Sequence, residues 1–199
     1  KNWKWMTVKG FEKIDFRDIE AFDGSTAVIM GIAEPAYILK TTDGGESWKV
    51  VYENKTKGMF LDAMDFVGND YGIVVGDPID NKIFIAETFD GGTTWNELGL
   101  EGKKPLADSG EAFFASSGTN IRLMIDKRFF LLSGGTKSRL ITRFDASDLP
   151  VLQGKESTGA NSIDVYDKGN GKGSNRLAIV GGDFMADSLT TKNCFISGD

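Results

Sequence analysis

Carboxylates carry most of the chemistry that is open to this chain. The sequence has 29 Asp and Glu residues, a single cysteine and no histidine. Without histidine there is no Ser-His-Asp triad, no Cys-His pair, no histidine-ligated zinc and no usual proton shuttle at neutral pH. Proton transfer is left to carboxylates, Lys, Tyr and Arg, and two carboxylates at a suitable separation can hydrolyse a glycosidic bond.

Four acidic residues are candidates for such a pair. Three of them lie at the start of predicted strands and the fourth follows one; they are Asp18, Asp62, Glu111 and Asp77. The distance between the two carboxylates, which distinguishes inverting from retaining hydrolysis, depends on the fold. Any catalytic role for them therefore depends on the elements that position them.

Two further aspartates belong to an internal repeat. Residues 41–48 (TTDGGESW) return as residues 88–95 (TFDGGTTW), so that Asp43 and Asp90 are 47 residues apart. Asp accepts hydrogen bonds from backbone N–H groups just ahead of it, and Gly-Gly supplies the positive-φ positions of a sharp turn. We expect a turn brace rather than a catalyst, because every copy of a repeated unit needs its turn. The expected structural positions are Thr41, Asp43, Gly45, Trp48, Thr88, Asp90, Gly92 and Trp95.

Short apolar runs precede each copy of the turn and predict strands. The first unit comprises residues 18–22, 27–31 and 36–40, and the second comprises 62–66, 72–76 and 82–86. Weaker copies predict a third unit at 111–115, 129–135 and 138–142, with an eroded turn at 142–145, and a fourth at 162–166, 176–182 and 193–197. A fixed period with turn chemistry at one phase is typical of a solenoid or a propeller.

The eight-residue pattern Ser/Thr-x-Asp-x-Gly-x-x-Trp resembles the Asp-box, or BNR repeat, of sialidases, several glycosidases and the photosystem II stability/assembly factor-like proteins. This resemblance implies an all-β fold, a β-propeller of four-stranded antiparallel blades. In it the box closes the hairpin between the third and fourth strands, away from the usual ligand face. Residues 1–199 would form a single domain of about four blades.

Two ring closures are open at this point. Residues 3–8 have the pattern of an outer strand with no box ahead of it, and residues 197–199 stop where a fourth box would begin. The family resemblance implies a seven-bladed ring, of which this chain is a C-terminally truncated part. The alternative is a four-bladed ring sealed by residues 3–8, which would remove exposed sheet edges. We expect the larger ring, because the chain stops inside a box.

Composition narrows the classes of partner. The net charge is −6 with both signs interleaved, so no basic stripe is present and nucleic acid is not an expected partner. No apolar run reaches the 18 residues of a membrane span. Asp-box propellers are frequently exported, so we expect a periplasmic or extracellular protein, although no signal peptide precedes Lys1.

No cofactor or metal is expected. The sequence has no Gly-rich phosphate loop between a strand and a helix. Residues 167–173 (DKGNGKG) lack the ligand spacing and the closing Glu of a calcium loop. Cys194 is expected to be a small buried residue of a strand, not a nucleophile.

A ligand is expected at one mouth of the central channel. The loops that enter the first strands of a propeller share one face with the loops between second and third strands. The predicted ligand-binding residues of this face are Arg17, Asp18, Asp62, Asp77, Glu111, Asn161 and Asp183. The long loop at 182–192 adds Phe184 and Met185, which we expect to be exposed and to contribute specificity. The alternatives are a solvated polar opening and a loop packed under its neighbour.

Two functions fit these features. The first is a non-enzymatic binding or assembly propeller, similar to the photosystem II stability/assembly factor-like branch, which captures a protein or a small polar ligand. The segment Phe16-Arg17-Asp18-Ile19 and the compact boxes favour it. The second is a glycoside hydrolase with a carbohydrate ligand. This chain, however, lacks the Arg-Ile-Pro segment of sialidases. Its Tyr52-Glu53 pair is expected on an outer strand, where it cannot face the channel.

Overall fold

The computed structural model describes residues 3–98, 106–166 and 176–197, and the described residues form seventeen β-strands. The first sheet contains β1 (Phe16–Ala21), β2 (Ala27–Gly31), β3 (Ala36–Thr41) and β4 (Lys49–Asn54). The second contains β5 (Leu61–Val67), β6 (Tyr71–Ile79), β7 (Lys82–Thr88) and β8 (Asn96–Glu97). Both are antiparallel meanders in which each strand pairs with the next.

Two more antiparallel sheets follow along the chain. The third contains β10 (Ile121–Leu123), β11 (Phe129–Leu132), β13 (Arg139–Ile141) and β14 (Ala146–Asp148). The fourth has five strands, namely β15 (Thr158–Tyr166), β16 (Arg176–Asp183), β17 (Cys194–Ile196) and two short strands from the third unit, β9 (Glu111–Ala112) and β12 (Gly134–Gly135).

The first strands of the four units lie next to one another. β1 contacts β5, β5 contacts β10 and β10 contacts β15. Successive meanders with neighbouring first strands are the blades of a β-propeller. The predicted fold class, an all-β propeller of antiparallel blades, is therefore confirmed. The described residues form four blades, of which three are four-stranded and the fourth is a sheet of five strands.

The hydrophobic core is divided between adjacent blades. One cluster joins Val28 and Ile38 of the first blade to Leu61 of the second, and another joins Val75 of the second to Leu131 of the third. A third cluster joins the third and fourth blades. A strand that is covered on both faces needs apolar residues at consecutive positions, which is why the middle strands have unbroken runs such as residues 73–75.

The first strand of the third blade differs from the prediction. Residues 111–115 do not form it; Glu111–Ala112 is the short strand β9, which pairs with Gly134–Gly135. The chain then leaves the sheet over residues 113–120 and returns as β10 at Ile121. Periodicity suggested a continuous strand because Phe113 and Phe114 are apolar, but these residues pack outside the ladder.

Residues 3–8 do not form the predicted outer strand. They pair with no described strand, and the Trp3 and Trp5 side chains are more than 90% exposed. The segment instead crosses the first blade: Met6 lies against Gly45, and Phe11 stacks edge-on against Tyr37. The closure of a four-bladed ring by residues 3–8 is thus absent from this structure, and the seven-bladed ring stays a prediction.

Cys194 is exposed rather than buried as predicted, although it does begin β17. The strand presents Cys194 and Ile196 on the uncovered face of the fourth blade, and only Phe195 between them is partly buried. The strand predicted at residues 129–135 is divided in the structure. β11 ends at Leu132, and Gly134–Gly135 forms the separate strand β12, which pairs with β9 and β15.

The two copies of the repeated turn have the same hydrogen bonds. In the first, Asp43 Oδ1 accepts from the Ser47 amide (2.9 Å), and the Thr41 hydroxyl accepts from the Gly45 amide (2.9 Å). In the second, Asp90 and Thr88 accept from the Thr94 and Gly92 amides at the same distances. A hydrogen bond from the Ser47 hydroxyl, and then the one from the Ser47 amide, lowers the pKa of Asp43 to about 2. Both aspartates lie on the surface, so each acts on its own turn.

Replacing either aspartate by alanine is expected to lower the free energy of unfolding, because the turn amides lose a charged acceptor. Chemical denaturation of Asp43→Ala and Asp90→Ala measures this. Asp70→Ala, at an exposed position of the second blade, is the control and should change stability little. Wild-type stability in both variants would contradict the bracing role.

Candidate functional site

Three of the predicted ligand-binding residues occupy equivalent places in their blades. The pairing of each first strand with the second shifts register once, between Phe16 and Asp18, between Leu61 and Ala63, and between Ala160 and Ser162. The extra residues are Arg17, Asp62 and Asn161. A β-bulge re-aims a side chain and is frequent near functional sites. Three of the four blades thus have a bulge in the pairing of the first strand with the second.

Residues 113–120, here called the mouth segment, cross this opening. The Phe113 amide donates to Asp77 Oδ1 of the second blade (2.8 Å). The Ser117 hydroxyl donates to the Asn161 carbonyl of the fourth blade (2.5 Å). Gly118 lies so close to Asp18 of the first blade that a β-carbon there would be 3.5 Å from the carboxylate. One segment of the third blade therefore contacts the other three blades.

Asp18 joins the first two blades. Its Oδ2 accepts from the Met64 amide (2.8 Å), and its Oδ1 accepts from the Ile19 amide (2.8 Å). Burial raises the pKa of Asp18 to about 6, in spite of these two hydrogen bonds. Asp18 therefore accepts a hydrogen bond from its own blade and another from the neighbouring blade.

Asp62 is completely buried, and neither of its carboxylate oxygens has a hydrogen-bond partner among the described residues. Burial raises its pKa well above the usual range, and the nearby Asp77 carboxylate adds to this effect. The Asp77 and Ala115 amides lie beside Asp62 and only partly offset it. The pKa of Asp77 is raised by burial as well. The two carboxyl groups are thus neighbours, beneath the mouth segment.

Glu111 forms a buried ion pair with Arg139. Arg139 donates to both carboxylate oxygens, from Nε (2.9 Å) and from Nη2 (2.5 Å). The Ser133 hydroxyl and the Asp108 amide also donate to this carboxylate. All of its acceptor sites are used within the protein, and the side chain is inaccessible to solvent.

The remaining two predicted residues lie apart from these carboxylates. Arg17 is exposed and pairs with Asp15 at 2.9 Å. Asp183 accepts from the Met185 amide (3.0 Å) and lies 3.5 Å from Lys155 Nζ. Its pKa is lowered by a hydrogen bond from the Ser157 side chain first, then by the Met185 amide.

Asp183 and Asn161 line a small pocket of about 190 Å³ at the same face, beside the long loop at 182–192. Phe184 and Met185 of this loop are 66% and 78% exposed, as the sequence suggested. The Phe184 ring contacts the Phe114 ring of the mouth segment edge-on, with 5.8 Å between the centroids. An apolar rim therefore stands next to polar groups at the mouth.

Sequence reasoning missed Asp65 and the mouth segment. Asp65 Oδ2 accepts from the Leu123 amide of the third blade (2.6 Å), as Asp18 accepts from Met64 of the second. Asp18 and Asp65 are 47 residues apart, the same separation as the two turn aspartates. In the strand register Asp65 is equivalent to Glu20, because Phe16 and Leu61 occupy the same position in their blades. Asp65 therefore repeats the hydrogen-bonding role of Asp18 from a different position of its strand, and the 47-residue spacing was a usable signal of that role.

The described residues contain no group of three or more His, Cys, Asp or Glu side chains arranged to hold a metal ion. They also contain no helix long and apolar enough to cross a membrane. The loop at 167–173 lies outside the described residues.

No family model and no curated protein matches the chain. A solved structure described as "YCF48 bound to D1 peptide" is similar, with 15% sequence identity and a TM-score of 0.40. The similarity covers 96% of this chain and 70% of that chain.

Proposed function

We propose that this protein is a non-enzymatic Asp-box propeller that binds a protein partner at the channel mouth, in the manner of an assembly factor. The observation that carries the proposal is that the predicted carboxylates are bonded or buried within the protein. Asp18 and Asp77 hold neighbouring segments, Glu111 is neutralised by Arg139, and Asp62 is buried. These groups hold the blades and the mouth segment together.

The apolar rim of the mouth favours a protein as the partner. Phe184, Met185 and Leu189 are exposed on one loop, next to the pocket formed by Asn161 and Asp183. Exposed aromatic and methionine side chains beside a few polar groups are typical of the centre of a protein interface. A peptide segment with an apolar side chain would bury Phe184 and hydrogen-bond to the polar groups of the pocket.

A glycoside hydrolase is the alternative, and the adjacent carboxyl groups of Asp62 and Asp77 favour it. A carboxyl group with a raised pKa can act as a general acid beside a second carboxyl group, and burial raises the pKa of both Asp62 and Asp77. To reach a sugar, these groups would have to be uncovered by movement of the mouth segment. Export to the periplasm or cell surface fits both functions and stays a prediction.

Selection of displayed peptides on the immobilised protein tests the proposal. Peptides enriched on the wild type are expected to bind Phe184→Ala at least about tenfold more weakly, because loss of a central aromatic contact costs about 1–3 kcal/mol. Tyr166→Ala is the matched control, since Tyr166 is also an exposed aromatic residue but lies at the end of β15, away from the long loop.

A panel of chromogenic glycosides distinguishes the alternative. The proposal expects no hydrolysis by the wild type. Turnover of any glycoside that is lost in Asp62→Asn and Asp77→Asn, while both variants keep their fold, would establish the hydrolase instead. Equal binding of the selected peptides to the wild type and Phe184→Ala would remove the long loop from the binding site.

A further inference from the structure

A cleft of about 590 Å³ lies between the second and third blades, at the end of the propeller that carries the repeated turns. Four turns contribute to its walls, with Tyr71 at the start of β6, Phe89 after β7, Lys127 between β10 and β11, and Arg143 between β13 and β14. We propose that this cleft binds a small aromatic carboxylate. This cleft shares no lining residue with the pocket beside the long loop, where the protein partner is proposed to bind.

The cleft exists because the third copy of the turn is eroded. Between the first and second blades the same place is closed: Lys40 donates to the Gly91 carbonyl (2.8 Å) and the Thr93 hydroxyl (2.9 Å), and Gly92 packs on Val28. The turn at 142–145 lacks the Gly pair and the Trp that fill this space. Glu87, 47 residues after Lys40, takes the place of the lysine and binds Arg143.

A buried polar network forms one wall of the cleft. The Tyr71 hydroxyl donates to Glu87 Oε1 (2.6 Å), and Arg143 donates to the same oxygen. Glu87 and Tyr71 are almost inaccessible to solvent, whereas the Arg143 side chain is one-third exposed. The charge of Glu87 is thereby neutralised, and the Arg143 guanidinium keeps donors available toward the cleft.

Lys127 places a cation over the aromatic wall. Its Nζ lies 5.2 Å from the centroid of the Tyr71 ring and 5.1 Å from that of Phe89, and the two rings stack with their centroids 5.0 Å apart. The tight β10–β11 turn holds this residue at φ 66°, and the Lys127 amide donates a hydrogen bond to the Met124 carbonyl (2.8 Å). Arg128 pairs with Asp126, but Lys127 forms no ion pair with any described carboxylate.

These contacts specify the chemistry of the ligand. The faces of Phe89 and Phe144, 54% and 75% exposed, offer apolar area for a flat ring. The unpaired ammonium of Lys127 and the remaining donors of Arg143 favour a carboxylate at the edge of that ring. The volume falls within the range of small-molecule pockets and suits one or two rings with a short acidic side chain.

Titration with hydrocinnamate, followed by shifts of the backbone amide NMR signals, tests the site. We expect saturable shifts at Lys127, Arg143 and Phe89. Lys127→Met retains the aliphatic stem but removes the charge, and it should weaken binding about tenfold, the loss of one charge-assisted contact. Lys57→Met is the matched control at an exposed lysine of another loop and should bind as the wild type does.

Three related probes can overturn the proposal. Hydrocinnamide should bind at least about tenfold more weakly than hydrocinnamate, because it lacks the charge, and hexanoate should bind more weakly because it lacks the ring. Equal binding of either probe would contradict the assignment. So would tighter binding of tetramethylammonium in Lys127→Met, which would show a cage for cations. Unchanged melting of Lys127→Met ensures that any loss reflects binding.

Discussion

Glu111→Gln is expected to lower the free energy of unfolding by about 3–5 kcal/mol, because it leaves the Arg139 guanidinium buried without its counter-charge. Arg139 is 8% exposed and donates to both oxygens of Glu111. An amide of the same shape keeps one acceptor oxygen and presents an N–H₂ group to the guanidinium. Equilibrium denaturation, monitored by tryptophan fluorescence, measures the change.

The double variant Glu111→Leu, Arg139→Met separates the broken pair from the lost contacts. It removes both charges and replaces them with apolar groups, so it should be more stable than Glu111→Gln. The surface pair of Asp15 and Arg17 provides the control: Asp15→Asn should cost less than about 1 kcal/mol. A loss of similar size in Glu111→Gln and Asp15→Asn would contradict the buried ion pair as a main brace of the third blade.

The stability of the wild type is expected to fall as the pH rises from about 4 to about 6, and Asp18→Asn should flatten this fall by about 2–3 kcal/mol. The pKa of Asp18 is about 6 in the folded protein, against an ordinary value of 3.8. Between these values the folded state holds a proton that the unfolded state has released, so stability decreases with pH. Urea denaturation at several pH values measures the difference.

The pH dependence of Asp18→Asn has to be compared with that of the wild type, because other carboxyl groups with a raised pKa also lower the stability as the pH rises. Asp65 and Glu20 face Asp18, and burial raises the pKa of both. Asp23→Asn is the control: the Ser25 amide lowers the pKa of Asp23 to about 2, so this group affects stability only at lower pH. A profile for Asp18→Asn that parallels the wild type between pH 4 and 6 would show that Asp18 keeps an ordinary pKa.

Some of the site was predictable because local residues alone determine it. The positions of the strands in the first two blades follow from apolar runs that end in glycine or a polar turn, although their ends differ, as where β6 continues past Gly76 to Ile79. The repeated turns follow from Asp, Gly-Gly and Trp at fixed offsets, since these residues form their bonds within eight positions of the chain. The exposure of Phe184 and Met185 also follows from their place in a long loop.

The partners of the mouth carboxylates could not be predicted in this way. Asp77 binds an amide 36 residues away and Asp18 binds one 46 residues away. Such contacts arise only when separate blades pack together, and no periodic pattern marks the segment at 113–120 that receives them. The cleft at Tyr71 and Lys127 is likewise formed by four turns that are remote in sequence.

The sequence by itself determined the β-propeller class and the turns, because hydrogen bonds within a hairpin depend on neighbouring residues. It also placed acidic side chains at the first strands. Only the tertiary structure decided what those side chains do, since burial and the approach of other blades convert Asp18, Asp62 and Glu111 from candidate ligands into internal contacts. The same packing, left incomplete at the eroded third turn, opens the cleft between the second and third blades.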